Sequence, residues 1–173
     1  MQNDLTDSVL GLAKQGAIDP NRVCIVGRSY GGYAALAGAA FTPDVFKCAV
    51  SIGGVSDLPK MFAENKSRYG KTSALLDYWS RSTLNNDYDR GALKAISPCF
   101  SAEKIKIPVL LVHGEDKFVN INQSKLMSKA IKRAKGDVRL VKLKNDGHSL
   151  KNSATRTKAV QEIVTFVEKH IGI

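Results

Sequence analysis

Residues Val23-Cys24-Ile25-Val26 lead directly into Gly27-Arg28-Ser29-Tyr30-Gly31, and this passage decides the fold. Four apolar residues rich in β-branched side chains read as a buried strand. The next five residues follow G-x-S-x-G, and Tyr33-Ala34-Ala35-Leu36-Ala37-Gly38-Ala39-Ala40-Phe41 then reads as a helix of small side chains. Such a helix can lie close on a sheet. A serine at the tip of a sharp strand-to-helix turn sits in a strained backbone, and side chains two positions before or after it would collide. The pattern therefore predicts that Gly27 and Gly31 both relieve a collision. It also predicts that the backbone N–H of Tyr30 points to where an oxyanion would form beside the Ser29 hydroxyl.

The rest of the chain repeats the alternation. Asp4 to Lys14 reads as a helix with Leu5, Val9 and Leu12 on one face, ended by Gly16. Lys47–Gly53 reads as a second strand, apolar on two faces as in a parallel sheet covered by helices, and Pro108–Gly114 as a third with an abrupt glycine end. Asn122–Lys135 reads as a helix, Val138–Leu143 as a fourth strand, and Ser153–Ile171 as a terminal helix with Val160, Ile163, Val164 and Val167 on one face. Between Asp57 and Asp89 the chain is polar and mixed, with short helices expected near Leu58–Glu64 and Ser73–Ser80. The prediction is an α/β domain with about four parallel strands in sequential order and Val23–Val26 at one edge.

Composition narrows the functional classes. A chain of 173 residues with 43% hydrophobic content is long enough for one domain with a real core. The net charge of +10 raises nucleic acid as a partner. However, Lys125, Lys129, Lys132, Arg133 and Lys135 fall along one helix as a solvated face, without interleaved aromatic residues, which argues against nucleic-acid binding. No apolar run is long enough to cross a membrane. The opening residues are polar, without a signal-peptide pattern, which leaves localisation open with the cytoplasm as a default guess. Cys24, Cys48 and Cys99 show no metal-ligand spacing, and Cys24 and Cys48, inside apolar strands, read as buried thiols. No metal cluster or phosphate loop is visible, so no cofactor is expected.

In open parallel sheets, functional groups gather at the carboxyl ends of the strands. Ser29 stands there after the first strand, Glu115 and Asp116 after the third, and His148 in Asn145-Asp146-Gly147-His148 after the fourth. A serine hydroxyl needs a base to take its proton, and histidine can also return that proton to a leaving group. A carboxylate fixes the imidazole tautomer and stabilises the imidazolium. Of the other histidines, His170 lies on the terminal helix, solvated and far from this edge. His113 ends the third strand and should hydrogen-bond locally.

With these residues in place, the chain resembles the catalytic domain of the prolyl oligopeptidase family of serine peptidases. The resemblance rests on Gly27-Arg28-Ser29-Tyr30-Gly31-Gly32-Tyr33, Ala17–Val23, Gly54-Val55-Ser56-Asp57, Ser97-Pro98, Ile107–Gly114 and Gly147-His148. It is nearer to the acylaminoacyl-peptidase and dipeptidyl-peptidase branches than to any lipase. It implies a partial α/β-hydrolase fold and peptide substrates, with Ser29 as nucleophile, Asp116 as acid and His148 as base. It also implies that Tyr30 and Val119 help line the pocket before the scissile bond. Where the family has H-G-x-x-D-x-x-V, this chain has His113-Gly114-Glu115-Asp116-Lys117-Phe118-Val119, one residue shorter before the aspartate. Asp116 keeps the D-x-x-V spacing, and Glu115 remains the alternative acid.

The family sheet has about eight strands, often preceded by a β-propeller, and this chain matches its last four. It therefore reads as a truncated catalytic domain, without the loop that supplies the second oxyanion donor. Removing one such donor costs about a hundred- to a thousandfold in rate. Two functions follow as expectations. One is a serine peptidase acting on short peptides. The other is a catalytically weak fragment acting in binding or assembly. The exposed Val23–Val26 edge should be covered by the first helix, by the missing N-terminal portion or by a homo-oligomer.

Overall fold

Four short strands pair side by side in chain order, all parallel: β1 (Cys24–Arg28), β2 (Cys48–Ile52), β3 (Val109–His113) and β4 (Val138–Lys142). This is the arrangement expected from the sequence. The structure, a computed structural model, describes residues 2–70, 74–84 and 89–172. Its helices are α1 (Gln2–Lys14), α2 (Tyr30–Phe41), α3 (Leu58–Tyr69), α4 (Ala74–Leu84), α5 (Arg90–Ala95), α6 (Asn122–Arg133) and α7 (Ser153–Ile171). The polar stretch after Asp57 is more helical than its composition suggests. There, α3 runs five residues past the expected Glu64, and α5 starts where the Asp89 side chain accepts the Gly91 N–H at 2.7 Å. Ser73, the expected start of the second short helix, lies outside the described residues.

The central strands are buried on both faces, which is why they read as continuous apolar runs. Ala49, Val109 and Leu111 face Leu36, Ala39 and Ala40 of α2 and Met127 and Ile131 of α6. Cys48, Val50, Leu110 and Val112 face α7 through Ala159 and Phe166. The face of α7 differs from the expected one. Ala159 and Phe166 are buried, with Ile163 and Val167 packed beside them, whereas Val160 and Val164 are 53% and 45% exposed. A small residue at 159 lets the helix axis approach the sheet, and the bulky stripe at 160 and 164 is rotated outward.

A second correction concerns the cysteines. Cys24 and Cys48 are opposite one another in the β1–β2 register, with Cα atoms 4.6 Å apart, and form a disulfide rather than two thiols. Facing residues on neighbouring strands lie within the Cα range that a disulfide spans. The bridge ties the edge strand to the sheet interior. Closing a loop of 24 residues contributes about 3 kcal/mol by the chain-entropy account. Cys99 keeps its thiol, whose pKa is pushed up to about 12, chiefly by burial.

β1 forms one border of the described sheet, with β2 as its neighbour, and Val26 remains 47% exposed. Helix α1 does not close this edge. It approaches α2, where a Cβ on Gly38 would stand 3.1 Å from the Gln2 amide, and it leaves Leu5, Leu10 and Leu12 at 37%, 57% and 44% exposure. An open strand edge beside apolar side chains is a template for pairing with another chain. Two outcomes are expected. Thiol titration of the unfolded chain should find one reactive cysteine before reduction and three after it. Light scattering on the purified chain should show self-association through this edge, against which a clean monomer would count.

Candidate active site

The ladder of the sheet continues one step past the strand ends and gathers four loops at one edge. The Ser29 N–H donates to the Ile52 carbonyl, the Gly53 N–H to Val112 and the Leu143 N–H to His113, each at 2.8 Å. Ser29 has φ 56° and ψ −116°, a conformation that side-chain-bearing residues rarely adopt and that costs about 1–3 kcal/mol. A Cβ on Gly27 would stand 2.0 Å from the Gly31 carbonyl oxygen, so the turn closes only with glycine at 27. Gly31 is a correction to the sequence reading, because a Cβ there would meet nothing within 4 Å. The second constrained glycine is Gly32, whose Cβ would come within 2.8 Å of the Gly54 Cα and 2.9 Å of Ser51 Oγ.

His148 Nε2 lies 2.9 Å from Ser29 Oγ, and His148 Nδ1 hydrogen-bonds Asp116 Oδ2. In this line the serine hydroxyl donates to Nε2 and Nδ1–H donates to the carboxylate. The Asp116 side chain is 1% exposed and that of His148 16%. Asp116 Oδ1 accepts the Phe118 N–H at 2.6 Å, so both carboxylate oxygens are engaged. Glu115 is exposed, and its part in the site is its backbone N–H, which donates to the Asp146 carbonyl at 2.7 Å. Of the two candidate carboxylates, the structure brings Asp116 to the imidazole.

Other parts of the site were not assigned from the sequence. The Asp146 carboxylate accepts the N–H groups of Gly147, Lys151 and Asn152 at 2.9, 3.0 and 3.1 Å, which folds the loop that carries His148. Gly114 lets this loop approach, because a Cβ there would be 2.6 Å from the Asp146 carbonyl oxygen. Gly53, at φ 56°, lies beneath the pair, with its Cβ position 3.6 Å from His148 Nδ1 and 3.8 Å from Asp116 Oδ2. The Asp-Gly dipeptide at 146–147 was the available signal, as a turn former.

Tyr30 begins α2, which puts its backbone N–H at the helix N-terminus beside Ser29. Its ring is 47% exposed, 5.9 Å from the Tyr33 ring and stacked at 6.4 Å on Trp79. Burial raises the Tyr30 pKa, with a smaller contribution from Tyr78. Val119 packs with Tyr33 and Trp79 around the apolar cluster of Val55, Leu58, Met61, Phe62 and Leu93. His170, expected to be solvated, is half-buried and packs edge-on against Phe166 at 4.6 Å. His113 is 1% exposed, with Nδ1 2.7 Å from Ser124 Oγ and Nε2 2.9 Å from the Val119 carbonyl. Burial lowers its pKa below 6.5, outweighing the opposing effects of the Val119 carbonyl and Asp116. Among the described residues, no group of three or more His, Cys, Asp or Glu side chains could hold a metal ion, and no helix could cross a membrane.

These contacts generate two expected outcomes. Gly27→Ala should destabilise the fold by at least about 3 kcal/mol, while Gly31→Ala stays within about 1 kcal/mol of the parent, as read by urea unfolding. Because the folded-state pKa of His113 is lowered, the unfolded chain takes up that proton first as pH falls below 6.5. Stability should therefore decline progressively below that pH. His113→Gln should remove this part of the pH dependence.

The whole chain, residues 1–173, matches the model of the prolyl oligopeptidase family. A dipeptidyl aminopeptidase BIII from Pseudoxanthomonas mexicana is 33% identical over 86% of this chain and 22% of its own length. Dipeptidyl peptidase family member 6 from Caenorhabditis elegans is 25% identical over 99% of this chain and 23% of its own. Among solved structures, a puromycin-hydrolyzing peptidase of Mycobacterium tuberculosis superposes with a TM-score of 0.79 at 26% identity, covering 96% of this chain and 24% of that one. The acylaminoacyl peptidase of Pyrococcus horikoshii shares the fold with a TM-score of 0.82 at 24% identity, over 99% of this chain and 28% of that one. The chain thus spans under a quarter of the length of these two curated relatives. Matched along its full length and folded as part of an α/β-hydrolase, the chain belongs to the prolyl oligopeptidase family of serine peptidases.

Proposed function

We propose that this chain carries the catalytic groups of a serine peptidase that hydrolyses short peptides through an acyl-enzyme. The observation that carries the reading is the continuous line from Ser29 Oγ through His148 to Asp116. Ser29 Oγ attacks the scissile carbonyl carbon as His148 Nε2 takes its proton. The negative charge that develops on the carbonyl oxygen is met by the Tyr30 N–H at the start of α2. His148 then returns the proton to the leaving amine, whose bond to the carbonyl carbon breaks. Water, activated by the same imidazole, releases the acyl group. Asp116, with an almost fully buried carboxylate, holds the ring tautomer and stabilises the imidazolium through both transfers. The dipeptidyl-peptidase names of relatives support short peptides as the substrate class.

A second reading is favoured by a different observation. The open β1 edge and the small share of the relatives' length suit a catalytically weak piece that acts in binding or assembly. Turnover separates the two. Dipeptidyl and acylaminoacyl p-nitroanilides should be hydrolysed by the purified chain, and Ser29→Ala should reduce kcat by about a millionfold. Turnover that is unchanged in Ser29→Ala would refute the nucleophile. No turnover by a folded parent chain would favour the second reading.

A further inference from the structure

The loop that presents Asp116 is one residue shorter than the H-G-x-x-D pattern of the family, yet its carboxylate reaches His148. A short loop between a strand end and a fixed side chain has few ways to meet that demand, and what holds it is visible. Ahead of Asp116, the Glu115 N–H is tied to the Asp146 carbonyl. Behind it, the Phe118 N–H turns back onto Asp116 Oδ1, and the Val119 carbonyl accepts a hydrogen bond from His113 Nε2. His113 itself belongs to β3 and is 1% exposed, and its Nδ1 is engaged by Ser124 Oγ on α6.

We propose that His113 is a positioning residue for the proposed triad. It anchors the short acid loop from beneath, through the Val119 carbonyl, and so keeps Asp116 on His148. This rests on the reading of Ser29, His148 and Asp116 given above.

The hydrogen-bond pattern defines the tautomer. Nε2 must carry the proton, because Val119 offers only a carbonyl oxygen. Nδ1 therefore accepts from the Ser124 hydroxyl. A neutral ring satisfies both partners, and burial favours that neutral form. The titratable groups that act on His113 electrostatically are Asp116 and His148. The loop from 114 to 119 contains no regular secondary structure of its own and depends on these side-chain and backbone anchors. With the anchor removed, the ladder that holds β3 remains, but the end of the loop beyond Asp116 keeps only the apolar packing of the Val119 side chain. The carboxylate would then spend less time on Nδ1, and the imidazolium of His148 would lose part of its stabilisation.

That consequence separates positioning from mere contribution to folding. Diisopropyl fluorophosphate reacts with an activated serine: the Oγ–P bond forms, the P–F bond breaks, fluoride leaves, and the histidine takes the serine proton. The Asp116 carboxylate stabilises the imidazolium that forms in this step, so loosening it should slow the modification. In His113→Ala, the second-order rate of Ser29 modification should fall about tenfold. In His113→Gln, whose amide N–H can still donate to Val119, the rate should return most of the way to the parent value. Ser124→Ala, which keeps the imidazole but frees its tautomer, should lower the rate in the same way by less. It serves as the test should His113→Ala fail to fold.

A parent rate of modification in His113→Ala or, where that variant does not fold, in Ser124→Ala would overturn the inference. So would a His113→Gln variant no better than His113→Ala. Failure of the reagent to modify Ser29 in the folded parent chain would instead overturn the triad reading, and the inference with it.

Discussion

Everything at this site depends on the register of four parallel strands. Their ends are level, and the hydrogen-bond ladder runs one residue beyond β1, β2 and β4. Ser29 is held to Ile52, Gly53 to Val112, and Leu143 to His113. Residues separated by 119 positions in the chain are thereby brought to 2.9 Å. A parallel sheet produces this gathering because every strand enters from the same end, so the loops that follow the strands all emerge at the opposite one. The apolar core on both faces gives the ladder its rigidity. The disulfide between Cys24 and Cys48 fastens the strand that leads into Ser29 and has one neighbour in the described sheet.

Close backbone approach is the second requirement, and glycine meets it at a small number of places. Gly27 lets the strand pass under the first turn of α2, Gly32 lets that helix meet Gly54, and Gly114 lets the acid loop meet the histidine loop. Each removes a collision shorter than 3 Å. The energy stored in the Ser29 backbone is offset by these contacts and by the helix that starts at once behind it. Strain localised on Ser29 keeps its hydroxyl clear of the sheet and in reach of the imidazole.

Much of this was legible in the residues. The strands were visible as apolar runs because burial on both faces leaves no polar positions to confuse the pattern. Ser29 was visible because the elbow needs glycine at 27, and His148 because it follows a strand and a turn. What stayed hidden is what depends on contacts between distant segments. The Cys24–Cys48 pair needs the β1–β2 register, which no local spacing encodes. The outward rotation of Val160 and Val164 depends on how closely α7 lies on the sheet. Gly31 fits the five-letter motif but faces open space, while the constraint on Gly32 and Gly54 comes from the approach of α2 to the loop after β2, which the local pattern does not encode. Helix α5 is short and rests on one capping aspartate and tertiary packing at Leu93 rather than on periodicity. Glu115 and Asp116 are neighbours on a loop, and only its anchoring decides which carboxylate faces inward.

The sheet described by this chain brings Ser29, His148 and Asp116 into one hydrogen-bonded line, while one of its borders stays open at Val26. The central claim is that this assembly activates Ser29 in the chain as it stands. The most direct test is mass spectrometry of the purified, folded chain after exposure to a fluorophosphonate. The account predicts one adduct per chain, located on Ser29 and lost in His148→Gln and in the unfolded protein. A folded chain that takes up no adduct, or one that carries it on another residue, would contradict the account.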